Sequence, residues 1–115
     1  MARIVVADND PDALDLAMTD LRLEGHDVYG APDAAGAAAL VSELDPQVVV
    51  LDYRMPPGAN GLDLAEELVA AHPTLRVVIY SNYQRVELRA RAERIGVQFL
   101  AKGNLRALRA AVTAR

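Results

Sequence analysis

The sequence predicts a three-layer α/β domain: a doubly wound parallel sheet of five strands, (βα)5, with helices on both faces. Two observations carry this. Short β-branched apolar runs alternate five times with longer stretches at helical spacing, and the runs are continuously apolar, as in strands covered on both sides. Parallel strands need crossovers, and right-handed crossovers place the helices on the two faces of the sheet.

Arg3–Ala7 is the first such run, too short for a helix. Asp10-Pro11 then supplies an N-cap and a first-turn proline, Leu14, Ala17, Met18 and Leu21 follow at helical spacing, and Gly25 ends the helix. His26–Gly30 reads as a weaker strand. Asp33 caps a second helix reaching Leu44, which Pro46 stops from continuing, and Gln47–Leu51 is the third strand. Residues 53–61 are rich in turn formers and long for a strand-to-helix connection, a pattern often tied to function. Leu62–Ala71 restores helical periodicity until His72-Pro73. Leu75–Tyr80, Gln84–Ile95, Val97–Leu100 and Asn104–Ala114 then read as strand, helix, strand and helix.

A chain of 115 residues, 52% apolar, suits one domain over residues 1–115. Its apolar runs fall far short of the roughly 18 to 20 residues that cross a bilayer, and the N-terminus reaches acid too early for a secretory signal. A cytoplasmic protein without membrane contact is expected. With no cysteine, disulfides, thiolate metal sites and Cys nucleophiles are excluded. The net charge of −4 conceals an asymmetry: residues 1–84 carry four arginines against fourteen acids, whereas residues 85–115 carry seven arginines and Lys102 against Glu87 and Glu93. The basic C-terminal quarter, with Arg85, Arg89, Arg91, Arg94, Arg106 and Arg109, suits an acidic partner or a second copy. Phe99 is its only aromatic, so the interleaving of single-strand binders is missing, and direct nucleic-acid binding by this domain is not expected. Eleven of the twelve basic residues are arginine, and Lys102 is the only lysine.

In open sheets of this type, ligands bind beyond the carboxyl ends of the strands, where strand order reverses. The first strand runs into Asp8-Asn9-Asp10, the third into Asp52, the fourth into Ser81 and the fifth into Lys102. For strand order 2-1-3-4-5, Asp8 and Asp52 face each other across the switch point. Two close carboxylates repel unless a cation lies between them, and Mg²⁺ suits oxygen donors of this kind. A carboxylate can also accept a phosphoryl group, whose transfer needs mainly positioning and charge neutralisation. Singly, such residues are ordinary caps and turn formers, the expected role of Asp10 and Asp33; together, at one end of four strands, they form a chemical set. His26 and His72 lie apart from it and are expected at the surface, and Tyr29, Tyr53 and Tyr80 as packing or loop residues.

The segments IVVADNDP, VVVLDYRMP, VVIYSN and FLAK, in this order across the whole chain, resemble the receiver domains of bacterial two-component response regulators, whose fold is flavodoxin-like. The resemblance implies that Asp52 accepts a phosphoryl group from a histidine kinase or phosphotransfer protein. It implies that Asp8, Asp52 and the backbone carbonyl of Arg54 hold Mg²⁺, with Asn9 or Asp10 as a further ligand. Ser81 and Lys102 would bind the phosphoryl oxygens, Phe99 would occupy the aromatic switch position, and the face made by the fourth helix, fifth strand and fifth helix would carry the output. Such a chain is a signalling switch, catalysing at most its own phosphoryl transfer and loss. It acts through protein contacts, alone or as part of a longer regulator.

The pattern departs from the family in several places. Asn9 stands where a second acid is usual, which lowers the charge available to Mg²⁺. Lys102-Gly103 replaces Lys-Pro, so a cis peptide there becomes costly. The turn after Asp52 carries an extra residue, the stretch from Gly96 to Lys102 is one shorter, and Asn82-Tyr83 replaces a very small residue beside Ser81, which predicts slow exchange at the site. These departures favour an alternative, a pseudo-receiver binding proteins without phosphorylation; the joint retention of Asp52, Ser81 and Lys102 favours the phosphorylatable form. A phosphatase of the haloacid dehalogenase type would need a further acidic pair, and nothing acidic follows Glu93. A dinucleotide site lacks its G-x-G-x-x-G.

Overall fold

The computed structural model describes residues 1–113. Strands β1 (Arg3–Ala7), β2 (Asp27–Ala31), β3 (Val48–Leu51), β4 (Arg76–Ser81) and β5 (Gln98–Ala101) alternate with helices α1 (Pro11–Leu23), α2 (Ala34–Leu44), α3 (Gly61–Ala71), α4 (Val86–Ile95) and α5 (Leu105–Thr113). All strand pairs are parallel, in the order β2-β1-β3-β4-β5. The three-layer doubly wound fold expected from the sequence is therefore present. Of the expected closing helix, Ala114 lies outside the described residues.

The three central strands β1, β3 and β4 are buried on both faces, whereas the edge strands β2 and β5 are partly exposed, and the two-residue period of the strands divides the core. Val5, Val49, Leu51, Val77 and Ile79 pack under α2, α3 and α4 with Ala37, Val41, Leu62, Ala65 and Leu68. Ile4, Val6, Val48, Val50, Val78 and Tyr80 pack under α1 and α5 with Ala17, Leu21, Leu108 and Val112. The small side chains of α2, Ala34 and Ala37, let that helix lie close to the sheet.

The expected caps are formed. Asp10 accepts the Asp12 amide at 3.1 Å and Asp33 accepts Gly36 at 2.7 Å; Asn60, which the sequence did not single out, likewise accepts Asp63 at 2.8 Å, and each satisfies an amide that has no partner within its helix. Asp45 ends α2 in the left-handed region at φ 47°, immediately before Pro46. Several strand limits lie one residue further along than the apolar runs indicate. Burial sets the run, but the ladder is set by pairing: β2 begins where Asp27 meets Arg3, and β5 begins where Gln98 meets Val78. His26 is thereby left outside β2. It is buried rather than exposed as expected, because its Nδ1 accepts the Ala2 amide at 3.1 Å and holds the chain's first residues against the sheet. His72 is half-buried at the end of α3. Among the described residues no helix is long and apolar enough to cross a membrane.

Candidate functional site

Adjacent strands β1 and β3 end together, Ala7 pairing with Leu51, so Asp8 and Asp52 leave the sheet side by side. The Asp52 amide donates to the Ala7 carbonyl at 3.0 Å, which extends the ladder one step and holds the two acids in register. Both are buried, Asp8 with 4% and Asp52 with 7% of their surface exposed. From β5, Lys102 reaches back across β4 and places its Nζ 2.7 Å from Asp8 Oδ2 and 2.9 Å from Asp52 Oδ2. One ammonium thus bridges two carboxylates.

The outer oxygens are also satisfied. Asp8 Oδ1 accepts the Asp10 amide at 2.9 Å, and Asp52 Oδ1 accepts the Tyr53 amide at 2.8 Å. Burial pushes the Asp8 carboxyl above its ordinary range, against the opposing pull of the Lys102 and Asp10 hydrogen bonds. Burial also acts to lower Lys102, but hydrogen bonds to Asp8 and Asp52 together with their charges outweigh it and leave the ammonium above its ordinary value.

Ser81, the last residue of β4, is fully buried, and its Oγ accepts the Tyr83 amide at 3.0 Å. Its carbonyl accepts two donors: the Lys102 amide at 2.9 Å and Gln84 Nε2 at 2.8 Å. Gln84, expected to open α4, is instead used on Ser81, and α4 begins at Val86 without a side-chain cap. Arg89 donates to Gln84 Oε1 and lies over the half-buried Phe99 ring, 5.2 Å from its centroid.

Of the remaining expected residues, Asn9 is exposed. Asp10 is exposed too, its carboxylate used in capping α1. No group of three acids or histidines able to hold a metal occurs among the described residues. The peptide after Lys102 is trans, and Gly103 takes φ +98°, a backbone conformation that suits glycine. Lys102 nonetheless meets both carboxylates.

Tyr83 was not anticipated as a contact. Its hydroxyl accepts Arg54 Nη1 at 2.9 Å, the Arg54 guanidinium lies 5.4 Å from its ring centroid, and its ring stands 6.0 Å from that of Tyr53. The loops after β3 and β4 are thereby tied together. Only the unusual size of Tyr83 beside Ser81 could have signalled this. Half of the six arginines of the basic face meet acids: Arg91 pairs with Asp63 and Glu66, Arg109 with Asp20, and Arg85 with Glu87.

The fold has counterparts among known proteins. The signal receiver domain of NarL from Mycobacterium tuberculosis is 29% identical, with 98% of each chain covered and a TM-score of 0.84. NtrX from Brucella abortus, solved in complex with ATP, is 34% identical over 97% of this chain and 27% of that one, with a TM-score of 0.84. TrrA from Thermotoga maritima, solved with Mg²⁺ and BeF, shares the fold at 24% identity, with a TM-score of 0.88 over 97% of this chain and 96% of its own. A family model described as the response regulator receiver domain matches residues 4–113, from the first strand through the last helix. The chain belongs to the receiver domains of two-component response regulators.

Proposed function

We propose that the chain is a phosphorylation-dependent switch whose acceptor is Asp52. The observation that supports this most is the convergence of two buried carboxylates on one ammonium, beside a buried serine hydroxyl, at a sheet edge. An Asp52 oxygen attacks the phosphorus of a phosphohistidine on a kinase or phosphotransfer protein. The P–O bond forms as the N–P bond breaks, and the departing imidazole nitrogen regains a proton from solvent. Lys102 and the Ser81 hydroxyl then bind phosphoryl oxygens, with Ser81 exchanging its Tyr83 amide for the new partner. Because Gln84 links the Ser81 carbonyl to Arg89, and Arg89 covers Phe99, movement at Ser81 reaches the face formed by α4, β5 and α5. That face is the proposed docking surface for a second copy or an effector protein, in a cytoplasmic setting.

The donor set fits magnesium. The carboxylates of Asp8 and Asp52 lie close enough to share one small cation, and hard oxygen donors are what that ion prefers. Asp8, Asp52 and the Arg54 carbonyl would hold it, and when bound it supplies neutralisation of phosphoryl charge. Asn9 contributes no charge, so Asn9→Asp is expected to tighten Mg²⁺ binding several-fold in a calorimetric titration; unchanged affinity counts against placing residue 9 beside the ion.

Intact-protein mass after incubation with Mg²⁺ and acetyl phosphate tests the assignment. The parent chain should gain one phosphoryl group and an Asp52→Asn variant none. No gain in the parent, where a known receiver is labelled, would move the reading to a pseudo-receiver that binds proteins independently of phosphorylation. The Tyr83 contact to Arg54 ties together the loops after β3 and β4 on either side of Asp52, and if it restricts access, Tyr83→Ala should shorten the lifetime of the phosphorylated form several-fold. An unchanged lifetime, followed by the same mass measurement, would show that the contact does not restrict access.

A further inference from the structure

Lys102 acts through a long, flexible side chain, and a glycine, the least restrained of residues, follows it. What holds the lysine in place is visible on β4. Ser81 takes the Lys102 amide at 2.9 Å, and Tyr80, one residue earlier, takes the Gly103 amide on its hydroxyl oxygen at 2.8 Å. The peptide groups on both sides of the lysine Cα are therefore held by consecutive residues of one rigid strand. Tyr80 is itself fixed: it is 5% exposed, packs with Val78, Ala17 and Leu108, and pairs with Leu100 in the sheet. Gly103 has open space where a Cβ would stand, so glycine is required there by its φ of +98° rather than by crowding. Proline in its place would have no N–H to give.

We propose that Tyr80 is a positioning residue for Lys102: its hydroxyl anchors the Gly103 amide and so fixes the backbone from which the ammonium reaches between Asp8 and Asp52. The consequence for phosphorylation rests on the function proposed above; the anchoring does not. In its absence the Lys102–Gly103 joint can swivel, and the ammonium spends less time between the two carboxylates. Burial raises the Tyr80 hydroxyl above its ordinary value, so it stays neutral at physiological pH.

The sequence makes a direct test possible. Since Lys102 is the only lysine, lysine labelled with ¹³C and ¹⁵N reports on it alone. In the intact protein the Nζ ammonium should give a slowly exchanging NMR signal with restricted ε-methylene motion, and the Gly103 amide should be protected from hydrogen exchange. In Tyr80→Phe, with the backbone spectrum still that of the folded protein, the ammonium signal should broaden or vanish and the ε-methylene should become mobile. An unchanged lysine signal would overturn the proposal. So would an unprotected Gly103 amide in the parent protein, a measurement that needs no variant.

Phosphorylation by acetyl phosphate supplies the second arm. Tyr80→Phe should slow it several-fold in the parent background and have no further effect in Lys102→Ala. Equal slowing in both backgrounds would mean that Tyr80 acts on structure generally, and the proposal fails. If the parent protein is not phosphorylated at all, the proposed function fails, while the lysine signal still decides the anchoring.

Discussion

Replacing Lys102 with methionine is expected to slow phosphorylation by acetyl phosphate sharply and to destabilise the fold by about 3 kcal/mol near neutral pH, the scale on which losing one partner exposes a buried charge. The stem remains and the charge goes, leaving Asp8 and Asp52 facing each other with no cation between them. The sign of the pH dependence follows. Burial already holds Asp8 above its ordinary value of 3.8, and loss of the ammonium raises it further. A carboxyl raised in the folded chain takes up its proton before the unfolded chain does, so the folded state gains as pH falls. The stability deficit of the variant should therefore shrink between pH 8 and pH 5, measured as urea midpoints; an equal deficit at both would mean that the two carboxylates do not interact. In the parent protein the same sign holds on the alkaline side. Lys102, held above 10.5, contributes its full stabilisation below that pH and loses it as pH rises through the folded value.

Gly61→Ala is expected to cost about 3 kcal/mol or more, because overpacking against backbone exceeds what a flexible side chain can relieve. A Cβ on Gly61 would stand 2.1 Å from the Asp52 carbonyl oxygen and 3.2 Å from the Tyr53 Cα. The first turn of α3 rests directly on the segment that carries Asp52, and the Gly61 amide donates to the Tyr53 carbonyl at 2.7 Å. To admit a methyl group, the helix or the loop after β3 must move. A lowered urea midpoint with unchanged slope would report lost stability alone; loss of phosphorylation in protein that remains folded would show the loop displaced. A variant with both properties intact would mean that α3 does not lean on Asp52 as described.

Both predictions bear on what could be read from residues alone. Lys102 stood out because it is a single ammonium among eleven guanidiniums, a compact charge suited to the gap between two carboxylates where a planar fork is not. Gly61 did not stand out. In a segment full of turn residues it reads as one more, and its true constraint comes from a carbonyl nine positions earlier in the chain. The strands were legible because burial on both faces leaves a continuous apolar run, and the caps because Asp10 and Asp33 precede helical spacing. Their limits were less legible, since His26 and Leu75 look like strand residues until pairing excludes them. The tyrosines were the least legible. Tyr80 and Tyr83 belong to one short segment, yet one hydroxyl meets Gly103 and the other Arg54, and neither partner is near in sequence.

The basic quarter of the chain shows the same limit from another side. Counted along the sequence it is a strongly positive surface; in the fold, Arg91 and Arg109 are turned to acids from α3 and α1. Those two charges hold helices to one another.

The solitary lysine has a practical consequence. With its amine enclosed by two carboxylates and its side chain 13% exposed, it is a poor target for acylating reagents. Amine-directed dyes and surface chemistries should thus leave the surroundings of Asp52 untouched in the folded domain, and a lysine introduced elsewhere on its surface would be the side chain they mark.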